Sequence, residues 1–260
     1  MPSDASEQES YVFRQRDETE SSRLNFQHTI ALKVSQGHLI HPSIDISSLK
    51  AVADIGTGTG IWLEDLQQQV HSQTRLDGFD ISAAQFPSAS KCTYQVHNIL
   101  EPFAPEYHGL YDLVHIRNMV ESGGYLQWED FDFERIVTTG AASPTHAELI
   151  SLTCSFFTGL GMSLNCSIRV EETMKQAGLA DAIREQRNSY WDKSLDSDTK
   201  NWCWQSFGGF IPKAVLWSGK AKDEETAERM INEKLQVLGK EYQSGAVPNF
   251  AQRVIVGRKA

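Results

Sequence analysis

The sequence predicts an α/β chain built on a mostly parallel sheet, and three observations carry that prediction. An apolar run, Leu49-Lys50-Ala51-Val52-Ala53, leads into the turn Asp54-Ile55-Gly56-Thr57-Gly58-Thr59-Gly60 and then into the helical pattern Ile61-Trp62-Leu63-Glu64-Asp65-Leu66. A second short strand, Arg75-Leu76-Asp77-Gly78-Phe79-Asp80, again ends on an acid, 26 residues after Asp54. Two further β-type runs follow, Thr93–Phe103, which breaks at Pro102, and Tyr111–Arg117, which closes on polar residues. Strands separated by helix-length segments make βα units, which pair in parallel.

The turn after the first strand holds the chemistry. Glycine at every second position lets the backbone take positive φ and lie against a ligand with no Cβ in the way. It opens a helix, whose free N–H groups and dipole favour a carboxylate or phosphate. The spacing narrows the ligand. A dinucleotide fingerprint reads G-x-G-x-x-G/A, but Ile61 stands where its third small residue belongs. A P-loop needs Lys and Ser/Thr after its last glycine, and Ile61-Trp62 supplies neither.

Asp80 is placed to accept hydrogen bonds from ribose hydroxyls, since a carboxylate is acceptor-only and takes two at once; its structural alternative is to cap the following turn. Asn98 and Ile99 fall at the carboxyl end of the third strand, where open α/β sheets form their ligand crevice. His115 reads equally as a structural histidine and as a site residue. His28, His115 and His146 are candidates for a base by residue type alone.

The N-terminal segment Glu20, Arg23 and Asn25-Phe26-Gln27-His28, the run His38–Ile44, Val52–Trp62, Gly78–Ser82, Tyr111–Arg117 and Gly123-Gly124-Tyr125-Leu126-Gln127-Trp128-Glu129 together resemble the Rossmann-like S-adenosylmethionine (SAM) methyltransferases of fungal secondary metabolism. The resemblance runs from about Tyr11 to the end. It implies a doubly wound, mostly parallel sheet with an N-terminal helical arm and a C-terminal helical lid. It implies a SAM site at Asp54, Gly56, Gly58, Gly60, Asp80, Ile81, Asn98 and Ile99, with the arm and His115 nearby. The implied reaction is methyl transfer to an O or N atom of a small aromatic or heterocyclic acceptor, alkaloid or diketopiperazine-like.

One departure from that family stands out. Only five residues, Asn118-Met119-Val120-Glu121-Ser122, separate Arg117 from Gly123, whereas a parallel crossover normally takes a dozen or more. The crossover helix after the fourth strand is therefore expected to be missing. Either the two strands stay paired through an extended return, or the second pairs elsewhere, or the chain is a shortened product that folds poorly.

The remaining elements follow in order. Residues 1–10 read as a disordered tail and 11–260 as one domain: a helical arm (11–45), a cofactor-binding core (46–135) and acceptor-side helices with the last strands (136–260). Glu18–Gly37 predicts a helix stopped at His41-Pro42. Glu148–Gly159 and Val170–Ala177 predict helices, the second capped by Gly178, and Ile183–Tyr190 a strand. Asp198–Ser218 predicts a helix broken at Gly208-Gly209, its aromatics Trp202, Trp204, Phe207, Phe210 and Trp217 forming core or an acceptor lid. Glu224–Tyr242 predicts an amphipathic helix and Ala251–Gly257 the last strand.

A net charge of −10 argues against binding nucleic acid through phosphate neutralisation. Cys92, Cys154, Cys166 and Cys203 form no C-x-x-C pair and no zinc spacing, so no metal is expected. With neither a signal-like start nor a membrane-length apolar run, a cytoplasmic location is expected. Two rival classes remain open: a SAM fold that binds without transferring, and a nicotinamide-dependent oxidoreductase, disfavoured by Ile61.

Overall fold

The computed structural model describes residues 17–99, 101–117, 125–132, 135–162, 164 and 166–259. The expected tail therefore lies outside the described residues. Helix α1 (Glu18–Val34) is capped by Asp17, whose carboxylate accepts from Glu20 N. It ends well before His41-Pro42, because Gln36 and Gly37 both take positive φ, 54° and 84°, and Gly37 N reaches back to Leu32 O at 2.8 Å. The stop is thus a left-handed turn closing on the helix's last carbonyls, not the proline.

Strands β1 (Ala51–Ile55), β2 (Arg75–Asp80), β3 (Thr93–Val96), β4 (Leu113–Arg117) and β5 (Tyr125–Phe131) are followed by β6 (Val137–Gly140), β7 (Leu179–Asn188), β8 (Ala246–Asn249) and β9 (Ala251–Lys259). The main sheet has the order β3-β2-β1-β4-β5-β9-β7. Its first five strands pair in parallel, while β9 runs antiparallel to β5 and β7. A small second sheet, β6 with β8, was not expected from the sequence, since its strands are only four residues long.

The pairing of β4 with β5 answers part of the question raised by the short connection. Leu113 faces Tyr125 and Arg117 faces Glu129, so β5 does not pair elsewhere. Residues 118–124 lie outside the described residues, and with them the expectation of a missing crossover helix. The register asks the chain to travel back about 13 Å and sideways about 5 Å, within the roughly 26 Å that eight extended Cα steps can reach.

The sheet is covered unequally. On one face, Val52, Leu76, Leu113, Val254 and Val256 pack under Trp62, Leu63 and Leu66 of α2 (Ile61–Leu66) and under Leu39, Ile40 and Ile44 of the arm. On the other, Val114, Ile116, Leu126 and Trp128 meet Val170 and Met174 of α4 (Cys166–Gln176), while Phe79 is ringed by Phe103, Tyr107 and Tyr111. Among the described residues of the β2–β3 and β3–β4 connections there is only a one-turn 3₁₀ helix, Pro105–Tyr107, so edge-to-face aromatics do what a crossover helix would do elsewhere.

The third core joins Ile30, Ala31 and Val34 of α1 to α3 (Pro144–Gly159), α5 (Asp196–Trp217) and α6 (Glu224–Gln243). Helix α3 starts four residues earlier than expected, with Pro144 in its first turn, the position proline fits best. Helix α5 runs unbroken through Gly208-Gly209 and Pro212: burial of Trp202, Phe207, Phe210 and Ile211 on one face outweighs glycine's cost of about 1 kcal/mol per position. Those aromatics are core; Trp217, at the end, is half exposed.

Candidate cofactor site

The site is built where β1 ends. Gly56, Gly58 and Gly60 all take positive φ, 72°, 56° and 73°, as alternating glycines in a tight strand-to-helix turn require. Gly56 N and Thr57 N both donate to Phe79 O, at 2.8 and 3.0 Å, which ties the turn to β2. Gly60 serves packing as well: a Cβ there would come within 2.5 Å of the Tyr94 hydroxyl. Tyr94 lies across the turn and donates to Glu64 at 2.8 Å; burial, then that bond, push its hydroxyl well above the usual phenol range.

Asp80 Oδ2 accepts from Gly58 N at 2.9 Å and Oδ1 from Ser82 N at 3.3 Å. Its half-buried carboxylate thus clamps the glycine turn. Ile81 follows at 44% exposure. Asn98 and Ile99 lie just past β3, the strand beside β2, and Ile99 rests partly on the sheet core.

A cleft opens between the turn and α1. It is lined by Leu24 and Gln27 from α1, Asp54, Gly56, Thr57, Gly58 and Thr59 from the turn, Ile61 and Trp62 from α2, and His115 from β4. Strand register brings Asp54 beside His115. The two side chains are buried, and His115 Nδ1 lies 2.7 Å from Asp54 Oδ1. Asp54 Oδ2 accepts from the Thr57 hydroxyl at 2.8 Å. The imidazole stacks on the Trp62 indole, centroids 3.8 Å apart and planes 4° from parallel.

Of the residues expected at the site, Asp54, Gly56, Gly58 and His115 come together in the cleft. Gly60 is turned to Tyr94, and Asp80, Ile81, Asn98 and Ile99 sit along the neighbouring strand ends. Of the two other candidate bases, His28 pairs with Asp65 at 2.9 Å and ties α1 to α2, while His146 is buried on Tyr242 among the α3, α5 and α6 side chains. Trp62, Thr57, Leu24 and Gln27 were not singled out. Trp62 carried a signal, a bulky aromatic one residue into the helix that opens at the turn. Leu24 and Gln27 could be placed only once α1 was seen to fold over the turn, held by Thr59 Oγ1 donating to Asn25 Oδ1 at 2.6 Å.

Among the described residues no group of three metal-ligating side chains comes together, and no helix is long and apolar enough to cross a membrane.

Residues 36–125 match the family model described as a methyltransferase domain. The chain is 34% identical over 155 residues to the methyltransferase grgD of Penicillium sp, covering 49% of this chain and 54% of that protein. It is 25% identical over 173 residues to the methyltransferase psoC of Aspergillus fumigatus, covering 58% and 62%. To the N-methyltransferase gliN of A. fumigatus it is 35% identical over 109 residues, covering 40% and 37%. Each match spans less than two thirds of the relative, about half in the case of grgD. Over residues 36–125 the chain is thus similar to the methyltransferase domain family.

Proposed function

We propose that this protein binds SAM at the carboxyl ends of β1, β2 and β3 and transfers its methyl group to an O or N atom of a small acceptor, an aromatic or heterocyclic secondary metabolite. One observation carries the reading: the positive-φ glycine turn, clamped through Gly58 N by Asp80, stands beside a cleft within a stretch that matches the methyltransferase domain. The names of the fungal relatives, gliN's being an N-methyltransferase, support methyl transfer.

The residues present fit the cofactor. The cleft wall contains buried nitrogens without partners, Trp62 Nε1 and His115 Nε2, and a Cβ on Gly58 would fill space against Leu24, 3.4 Å away. Asp80 would accept from the ribose hydroxyls, and Ile81, Asn98 and Ile99 would flank the base. Bound SAM supplies a methyl group already activated on a sulfonium. The protein's part is then to align the acceptor and exclude water, with a base needed only where the acceptor must lose a proton. Leu24 and Gln27, reaching over the turn from α1, serve the exclusion.

A second reading, a SAM-binding fold without transfer, is favoured by the short 118–124 connection, which leaves little chain to wall the acceptor side. Incubation with methyl-labelled SAM and a panel of indole and diketopiperazine acceptors separates the two. Label in an acceptor supports transfer; SAM binding with no labelled product across the panel supports the second reading.

A further inference from the structure

The inward face of α1 is polar where the helix crosses the cleft. Glu20, Arg23 and Gln27 stand at i, i+3 and i+7, on one side of a helix, and all three are largely buried, Glu20 at 11% and Arg23 at 16% side-chain exposure and Gln27 at 9% overall. Arg23 is held by Glu20: its Nε and Nη2 donate to the two carboxylate oxygens, both at 2.7 Å. Its Nη1 donates to Gln27 Oε1 at 3.1 Å. A guanidinium is a donor only, so it must meet the oxygen of the amide, and that fixes where the amide nitrogen points. Gln27 Nε2 has no partner among the described residues and, unlike Trp62 Nε1, is not shut off from solvent. The hydroxyls of Thr57 and Thr59 spend their protons on Asp54 and Asn25. Among the described side chains that line the cleft, Gln27 alone keeps a donor that is neither spent nor sealed.

Charge and direction say what that donor meets. The Arg23 guanidinium is already matched by the Glu20 carboxylate, so an anion gains nothing at Gln27, and a single amide N–H suits a neutral oxygen. With 3.6 residues per turn, Gln27 lies on α1 between Leu24, which meets Gly58, and Ile30, which enters the core shared with α5. Asn25 and His28, bonded to Thr59 and Asp65, hold the other flank over α2. Gln27 is thus turned from the glycine turn toward the α3, α5 and α6 helices. We propose that Gln27 recognises the methyl acceptor, its Nε2 donating to a carbonyl oxygen, with Arg23 and Glu20 as the positioning pair that holds the amide. This rests on the methyl-transfer reading above and adds a substrate feature to it. A neutral acceptor with a lactam oxygen near the methylated atom, as in a diketopiperazine, is favoured over a bare indole.

The test is calorimetric titration of the full chain, saturated with S-adenosylhomocysteine, with two probes: cyclo-tryptophanyl-glycine, an indole bearing a diketopiperazine, and 3-methylindole, which has no carbonyl. Gln27→Glu keeps an acceptor for Arg23 and removes the donor; Gln27→Met removes both and keeps the bulk. Each is expected to bind the cyclic dipeptide about tenfold more weakly, the worth of one hydrogen bond, with S-adenosylhomocysteine affinity unchanged. Arg23→Met, which frees the amide to turn, is expected to weaken the same probe and leave 3-methylindole alone. Equal weakening of S-adenosylhomocysteine in the Gln27 variants would put Gln27 on the cofactor, and full cyclic-dipeptide affinity in Gln27→Glu would make the amide merely structural; either result overturns the assignment. So does saturated wild-type protein that binds 3-methylindole as tightly as the cyclic dipeptide, or binds neither. If one Gln27 variant fails to unfold cooperatively, the other decides. Wild-type protein that does not bind S-adenosylhomocysteine removes instead the cofactor reading beneath this inference.

Discussion

Asp54 and His115, brought side by side by the parallel pairing of β1 with β4, share a hydrogen bond of 2.7 Å in which both partners are buried. The carboxylate's other oxygen is taken by the Thr57 hydroxyl, so Asp54 acts on the glycine turn through its neighbours. Replacing it by Ala leaves His115 Nδ1 and Thr57 Oγ1 without their acceptor in a dry setting. Asp54→Ala is expected to destabilise the fold by about 2–4 kcal/mol. Urea unfolding checks this; a loss below 0.5 kcal/mol, on the order of a surface change, would mean the pair contributes little.

Asp80→Ala is expected to weaken SAM binding by about 1.5–3 kcal/mol, since a charged acceptor for the ribose and for Gly58 N is lost. Titration of the variant checks it. Affinity equal to wild type would remove Asp80 from the site.

Gly60→Ala is expected to cost about 1–3 kcal/mol, because the residue sits at φ 73° and its new Cβ would press on the Tyr94 ring. Thermal unfolding reads the cost. Gly209→Ala is predicted to go the other way: this glycine is exposed inside α5, and a Cβ there meets nothing within 4 Å. A gain of about 0.5–1 kcal/mol is expected from helix propensity alone.

Acid stability is expected to depend on His146. Burial holds its imidazole down to about 4, against an ordinary 6.5, so between those values the unfolded chain binds a proton that the folded chain does not. The contribution is fully present above pH 6.5 and is lost as pH falls toward 4, up to about 3 kcal/mol in all. Stability measured by urea unfolding across that range should fall for wild type, and the slope should flatten in His146→Gln. An identical slope in the variant would assign the acid sensitivity elsewhere.

Most of the sheet was legible because its strands are buried runs ended by unmistakable punctuation: Asp54 to Gly60 after β1, Asp80 after β2, Pro102 after β3. The C-terminal end of α1 and the continuity of α5 were not. In both, tertiary contact decides: α1 closes on the left-handed Gln36-Gly37 turn, and α5 is held straight by the core beneath it. Within the site, glycines and acids are visible in sequence because backbone geometry and charge demand those residue types. The Trp62–His115 stack was not visible, since the two residues lie 53 positions apart and meet only when α2 folds over β4.

The central claim is that this turn and its cleft take SAM, and calorimetric titration of the wild-type chain with SAM and, separately, S-adenosylhomocysteine tests it most directly. Saturable one-site binding of both ligands is predicted. Absence of binding to either, by protein that unfolds cooperatively in the same buffer, would contradict it.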